Sequence, residues 1–169
     1  GNPGVGVDNR AITKALADLN EAVGDRVILT AGKMHASGIL SEAGEKILTK
    51  EDAETFIEAG ADVLLLPAPG TVPGFTMEHA AELIKTAHEK GVLAMTTIGT
   101  SQEGADEETI RQIALMCKMA GADIHHIGDS GYMGMALPEN ITAYSVAIRG
   151  KRHTYLSLIH ILRAHETSA

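Results

Sequence analysis

Four short apolar runs begin near Val27, Asp62, Val92 and Asp123, about thirty residues apart. Each leads into a polar loop and then a segment whose apolar residues recur at three and four. This is the period of a parallel strand followed by a crossover helix that packs back over the sheet. Two joints are nearly the same words, Glu58-Ala59-Gly60-Ala61-Asp62-Val63 and Met119-Ala120-Gly121-Ala122-Asp123-Ile124. Each reads as a helix end, a Gly free to take the left-handed conformation after it, and a strand start. Gly24 and Gly91 punctuate the other two joints in the same way.

The spacing predicts helices over 9–23, from Thr49 onward, over 77–90 and over 107–120, and a last one opened by Pro138. Asp8 or Asn9, Thr49 and Thr76 are the expected N-caps, and Pro suits a first turn. Strands are predicted at 27–31, 63–66, 92–97 and 123–127. Val63-Leu64-Leu65-Leu66 is apolar at every position, as a strand covered on both faces requires. A small doubly wound sheet would satisfy this pattern, and so would part of a barrel. The barrel is the expected fold, because Thr30, Thr96 or Thr97, and His125 or His126 suit its inward positions near the strands' carboxyl ends. The expected class is therefore α/β, a partial (β/α)8 TIM barrel holding strands four or five to eight, with parallel strands and the helices outside.

The chain has 169 residues, enough for one core, and its net charge of −8 argues against nucleic acid and membrane surfaces as partners. Aromatic residues make up only 3%, with no Trp, which removes base-stacking platforms. The one cysteine, Cys117, falls inside a predicted helix and reads as a packed thiol in a reducing, cytoplasmic protein. No run approaches the ~18 apolar residues that span a bilayer. The opening Gly1-Asn2-Pro3-Gly4-Val5-Gly6-Val7 reads as a loop after a preceding strand, so residues 1–155 are expected to be the C-terminal half of a barrel domain. Residues 156–169 resemble two reading frames of a transposase sequencing adapter and are expected to be a non-native tail, so His160 and His165 are set aside.

The words Gly1-Asn2-Pro3-Gly4, Ala31-Gly32-Lys33-Met34-His35, Gly70-Thr71-Val72-Pro73-Gly74-Phe75, Ile98-Gly99-Thr100-Ser101-Gln102-Glu103, His126-Ile127-Gly128-Asp129, Pro138-Glu139-Asn140-Ile141 and Ile148-Arg149-Gly150-Lys151-Arg152 are specific when taken together. Through them the chain resembles the C-terminal half of an uncharacterised bacterial TIM-barrel family sometimes labelled phosphoenolpyruvate phosphonomutase-like or haloacid dehalogenase-like. The resemblance implies a barrel and no settled activity.

Chemistry in a parallel α/β fold gathers in the loops after the strands' carboxyl ends. Gly99, Thr100, Ser101 and Gln102 follow the third strand, and Gly128, Asp129, Ser130 and Gly131 follow the last; Gln102 and Glu103 read either as contacts for substrate hydroxyls or as part of a solvated loop. Gly lets the backbone approach an anion and hydroxyls donate without adding charge, so these loops are the candidate phosphate cradle, although Gly and Ser also simply turn a chain. Lys33 after the first strand can neutralise an anionic substrate or form a Schiff base, and His35 and His126 can carry protons. Asp129 suits a base, a metal ligand or a hydroxyl acceptor. His125 and His126 are adjacent on a strand and point to opposite faces, so only one enters the barrel. His79 and His88 read as surface residues.

The leading expectation is an enzyme of lyase or isomerase type that acts on a small phosphorylated or carboxylate compound by acid/base chemistry. Lys33, His35, His126 and Asp129 form its catalytic set. A metal-assisted hydrolase using His35, His126 and Asp129, with a divalent metal as cofactor, is the second reading, and a non-catalytic ligand-binding barrel the third. A small anionic molecule is the expected partner, and an open barrel edge invites self-association.

Overall fold

The computed structural model describes residues 8–34, 41, 44–99, 102–128 and 136–166. Four strands, β1 (Thr30–Gly32), β2 (Val63–Pro67), β3 (Leu93–Thr97) and β4 (Ile124–His126), form one sheet in the order β1-β2-β3-β4, every pair parallel. Helices α1 (Asn9–Val23), α2 (Lys50–Glu58), α3 (Met77–Glu89), α4 (Glu107–Ala120) and α5 (Pro138–Glu166) alternate with them. Sequential strands with no reordering are what a barrel wall requires.

Helices α1, α2 and α3 start where the sequence places their caps, and α4 has Asp106 as its cap, which the sequence reading does not name. Asp8, Thr49, Thr76 and Asp106 each accept a hydrogen bond from a backbone N–H of the first turn, and Thr49 with Asp52 completes a reciprocal capping box. Gly121 ends α4 at a φ of 97°, which costs a side-chain-bearing residue strain. Helix α5 is broken at Gly150, where φ is 80° and ψ is 161°.

Register divides the sheet into two faces. Ala31, Leu64 and Ala94 lie side by side, as do Leu66, Thr96 and His125, and the helices cover this face. Phe56, Leu64, Leu66, Leu83 and Ile84 form one core, and Ile98, Ile110, Ile113, Cys117 and Tyr144 form a second between α4 and α5. Full burial of a side chain such as Phe56 contributes roughly 1.5–3 kcal/mol. The opposite face carries Thr30, Val63 and Leu93, then Gly32, Leu65, Met95 and Ile124, then Pro67, Thr97 and His126; Gly32, Val63, Pro67 and Thr97 are buried, whereas Leu93 is 49% exposed. The face away from the helices is the less covered of the two, with Leu93 and His126 exposed.

The ends of the strands differ from expectation for a physical reason that also explains the repeated joints. Asp62 Oδ2 accepts the Leu29 N–H at 2.8 Å, and Asp123 Oδ2 accepts the Ala94 N–H at 2.8 Å. Their own N–H groups donate to Leu29 O at 2.8 Å and to Ala94 O at 3.0 Å. The Asp of each joint therefore brackets the preceding strand with its side chain. That is why β1 begins at Thr30 rather than Val27, and β4 at Ile124 rather than Asp123. Asp123 also pairs with His88 Nε2 at 2.8 Å. Burial works against its ionisation, but the hydrogen bonds of His88 and Ala94 and the charges of His88 and His125 hold its pKa below the usual carboxyl value.

Replacing Asp62 or Asp123 by Ala is expected to lower stability by about 1–2 kcal/mol each, read by denaturant unfolding, because each exposes a strand N–H without a partner. The folded carboxyl of Asp123 has the lower pKa, so its contribution is complete above the unfolded value of about 4 and is lost as pH falls through the folded value. Acid unfolding of Asp123→Asn should accordingly be shallower than that of the parent over this range.

Candidate active site

The four strands run in one direction, so the loops after Gly32, Pro67, Thr97 and His126 leave the same edge of the sheet. At Gly32 the chain passes so close to β2 that a Cβ would sit 1.7 Å from Leu65 O. The turn carries the next residue, Lys33, to complete burial, with its polar contacts made inside the chain. Met34 crosses the mouth. Its Sδ accepts from Thr97 Oγ1 at 3.5 Å, and a Cβ on Gly99 would lie 2.7 Å from that sulfur. The loop after β1 therefore reaches the end of β3.

The loops after β3 and β4 meet in the same way. Gly128 has a φ of 86°, and a Cβ there would lie 2.5 Å from Ile98 O and 3.0 Å from Glu103 Cβ. Only glycine combines that conformation with that proximity. Asn140, 3% exposed in the first turn of α5, donates from Nδ2 to Glu103 O at 2.9 Å and to Ala105 O at 2.8 Å. One buried amide thus ties the β3–α4 loop to the start of α5.

His126 stands on the open face beside its register partner Thr97. Gly128 N–H donates to His126 Nδ1 at 3.0 Å, which assigns the ring proton of the neutral imidazole to Nε2. The Gly128 amide is engaged by this imidazole, and Nε2 is the nitrogen left to exchange a proton with a ligand. His125 points the other way, between the sheet and α5, where Nδ1 and the Tyr144 hydroxyl share a hydrogen bond of 2.9 Å. Burial lowers the His125 pKa against the opposing pull of Asp123, and burial raises that of Tyr144. Cys117 is buried beneath the same cluster with its pKa raised by burial, the packed thiol that its helix position predicts.

Of the residues singled out by sequence, Lys33, Gly99, His126 and Gly128 come to one edge. Gln102, in the loop after β3, lines a groove of about 740 Å³ with Phe75, Met77, Met116 and Met119. His35, Thr100, Ser101, Asp129, Ser130 and Gly131 lie outside the described residues. Among the described residues no three His, Cys, Asp or Glu side chains gather as a metal site.

Sequence reasoning passed over several residues that the fold puts to use. Asn140 read only as part of a helix start. His79 is half-buried, with Nε2 3.0 Å from Leu48 O and its ring edge-on to Phe75, and His88 is tied to Asp123. Glu103, by contrast, is one of the two loop residues that the sequence offers as a contact for substrate hydroxyls or as a solvated acid. Its Oε2 is shut off from water and has no hydrogen-bond partner.

Residues 1–163 match a family model described as a domain of unknown function, DUF7916, and the chain belongs to that family. Over 89 residues, 53% of the chain, it is 34% identical to a Haemophilus influenzae protein named "Putative N-acetylmannosamine-6-phosphate 2-epimerase". It spans about a third of that relative's length, 33%. Among solved structures it is similar to a tetrameric deoxyribose phosphate aldolase from Aeropyrum pernix, with a TM-score of 0.57, 16% identity, and 86% of this chain and 68% of that one covered. It is also similar to a "putative phosphonomutase" from Burkholderia cenocepacia J2315, with a TM-score of 0.60, 16% identity, and 96% and 79% covered. These likenesses agree with the TIM-barrel class and with the phosphonomutase-like label. The haloacid dehalogenase label finds no support among them. No helix among the described residues is long and apolar enough to cross a membrane.

Proposed function

We propose that this member of the DUF7916 family is part of a barrel enzyme of lyase or isomerase type that works by acid/base chemistry on a small phosphorylated compound. The observation that carries this reading is Lys33, a cation held at 0% exposure at the carboxyl edge of a parallel sheet. A lysine at this edge supplies a positive point charge beside the loops where an anion would sit. Around it stand Gly99 and Gly128, whose bare α-carbons leave backbone approachable, and His126, whose Nε2 can exchange a proton. The names of the epimerase relative and the aldolase neighbour both contain a sugar phosphate, and the enzyme classes they name belong to the lyase and isomerase type. His35 and Asp129 complete the proposed catalytic set, with Thr100, Ser101, Ser130 and Gly131 in the phosphate cradle.

Calorimetric titration with inorganic phosphate tests the reading directly. The chain is expected to bind phosphate, and Lys33→Met, which keeps the length of the side chain and removes the charge, is expected to weaken binding at least tenfold, as a charge-assisted contact predicts. Undiminished binding in the variant would remove Lys33 from the site.

A further inference from the structure

Among the described residues, three buried side-chain oxygens have no hydrogen-bond partner, Asn9 Oδ1, Thr96 Oγ1 and Glu103 Oε2. The first two belong to neutral groups, and Thr96 lies on the helix-covered face against Cys117 and Tyr144. Glu103 is different in kind. It is a carboxylate at the rim, in the turn Gln102–Gly104, with its side chain packed on the α-carbon of Gly128 and its backbone oxygen fixed by Asn140. An acceptor withdrawn from water is satisfied only when something brings it a hydrogen-bond donor, and leaving one orphaned is the larger penalty in hydrogen-bond energetics.

We propose that Glu103 accepts a hydrogen bond from a hydroxyl of the substrate, which makes the ligand a polyhydroxylated phosphate of the sugar phosphate class rather than a bare or alkyl phosphate. This rests on the reading of Lys33 as the anion site. Lys33 follows β1, and Glu103 lies in the loop after β3, two strands away. Both loops leave the carboxyl edge of the sheet, so one elongated ligand there can meet both groups. The cation then fixes the phosphate end and the carboxylate fixes a hydroxyl at the other. A negative group at that second position also repels a ligand with anions at both ends.

The test compares inorganic phosphate, n-hexyl phosphate and a panel of ribose 5-phosphate, glucose 6-phosphate and mannose 6-phosphate, titrated calorimetrically into the parent chain, Glu103→Ala and the shape-preserving Glu103→Gln. At least one sugar phosphate is expected to bind the parent about tenfold or more tightly than n-hexyl phosphate. Glu103→Ala should abolish that advantage while leaving inorganic phosphate unchanged, and Glu103→Gln should reduce it. Equal affinity of the parent for the sugar and alkyl phosphates, or an equal loss on every probe in the variants, overturns the role of Glu103 while leaving Lys33 as the anion site. A parent that binds none of the probes overturns both readings.

Discussion

Gly32→Ala is expected to be the most damaging single-methyl change in the chain, costing about 4 kcal/mol or more and taking phosphate binding with it. The added Cβ would meet Leu65 O at 1.7 Å, Leu65 C at 2.6 Å and Leu65 Cα at 3.0 Å. These are backbone atoms of β2, a strand paired on both sides, so no side chain can swing away to make room. Overpacking against yielding side chains costs roughly 1–3 kcal/mol, and a collision with a central strand exceeds that range. The three-residue strand β1 must part from β2 instead. Lys33 and Met34 are then no longer presented to the mouth, and the contact of Met34 with Thr97 is broken. Chemical denaturation should show the stability loss, and calorimetry on the remaining folded protein should show phosphate affinity reduced at least as far as in Lys33→Met. An alanine variant with parent-like stability would mean that β1 sits farther from β2 than its register indicates.

Most of the frame was legible in the residues, because strands, crossover helices and caps are set by local spacing. Thr49 with Asp52 and Asp106 with Thr109 are three residues apart, and the apolar face of each helix repeats within a turn. The alternation of a strand likewise placed His125 and His126 on opposite faces, although period two alone does not say which of them faces the barrel. Tyr144 decides it, by offering His125 a partner on the helix side. The repeated Gly-Ala-Asp joint was visible as a repeat, but its purpose was not. Asp62 acts on Leu29 and Asp123 on Ala94, 33 and 29 residues away. The site suffers most from this limit. Lys33 and Glu103 were legible as candidates, but not the turn at Gly32 that buries the first nor the packing of Gly128 against the second. Pairings across thirty or more residues leave no periodic trace, so the residues that build the mouth from several loops were recognised only where glycine or a titratable group advertised them. The tail at 156–169 poses the reverse case. Leu156, Leu158, Ile159 and Ile161 are 43–56% exposed on the last helix, and the family match runs on to residue 163.

Asn140→Ala should cost about 3 kcal/mol and, unlike a plain core mutation, should erase the discrimination between sugar and alkyl phosphates. The amide of Asn140 is buried at 3% exposure and serves two carbonyls, those of Glu103 and Ala105, 37 and 35 residues earlier in the chain. Truncation leaves both acceptors inside the protein with nothing to replace the donor, and each orphaned group carries a penalty of roughly 1–3 kcal/mol. The loop can recover part of this by moving its carbonyls toward water, and that motion is what affects function. Glu103 would then turn away from Gly128 and its carboxylate would regain solvent, so it would no longer be held in wait for a ligand hydroxyl. A hydroxyl-reading role therefore predicts that Asn140→Ala resembles Glu103→Ala in its ligand preferences while differing from it in stability. Inorganic phosphate should bind to whatever fraction remains folded as it does to the parent, because Lys33 lies on the other side of the mouth. Asn140→Asp separates the two effects, since it preserves the volume but replaces the donating amide with an acceptor facing two carbonyls. It should lose the preference for sugar phosphate at neutral pH and regain part of it as acid protonates the new carboxyl. If Asn140→Ala keeps full sugar phosphate preference despite its lost stability, the loop is held by other contacts and Asn140 supports the fold alone.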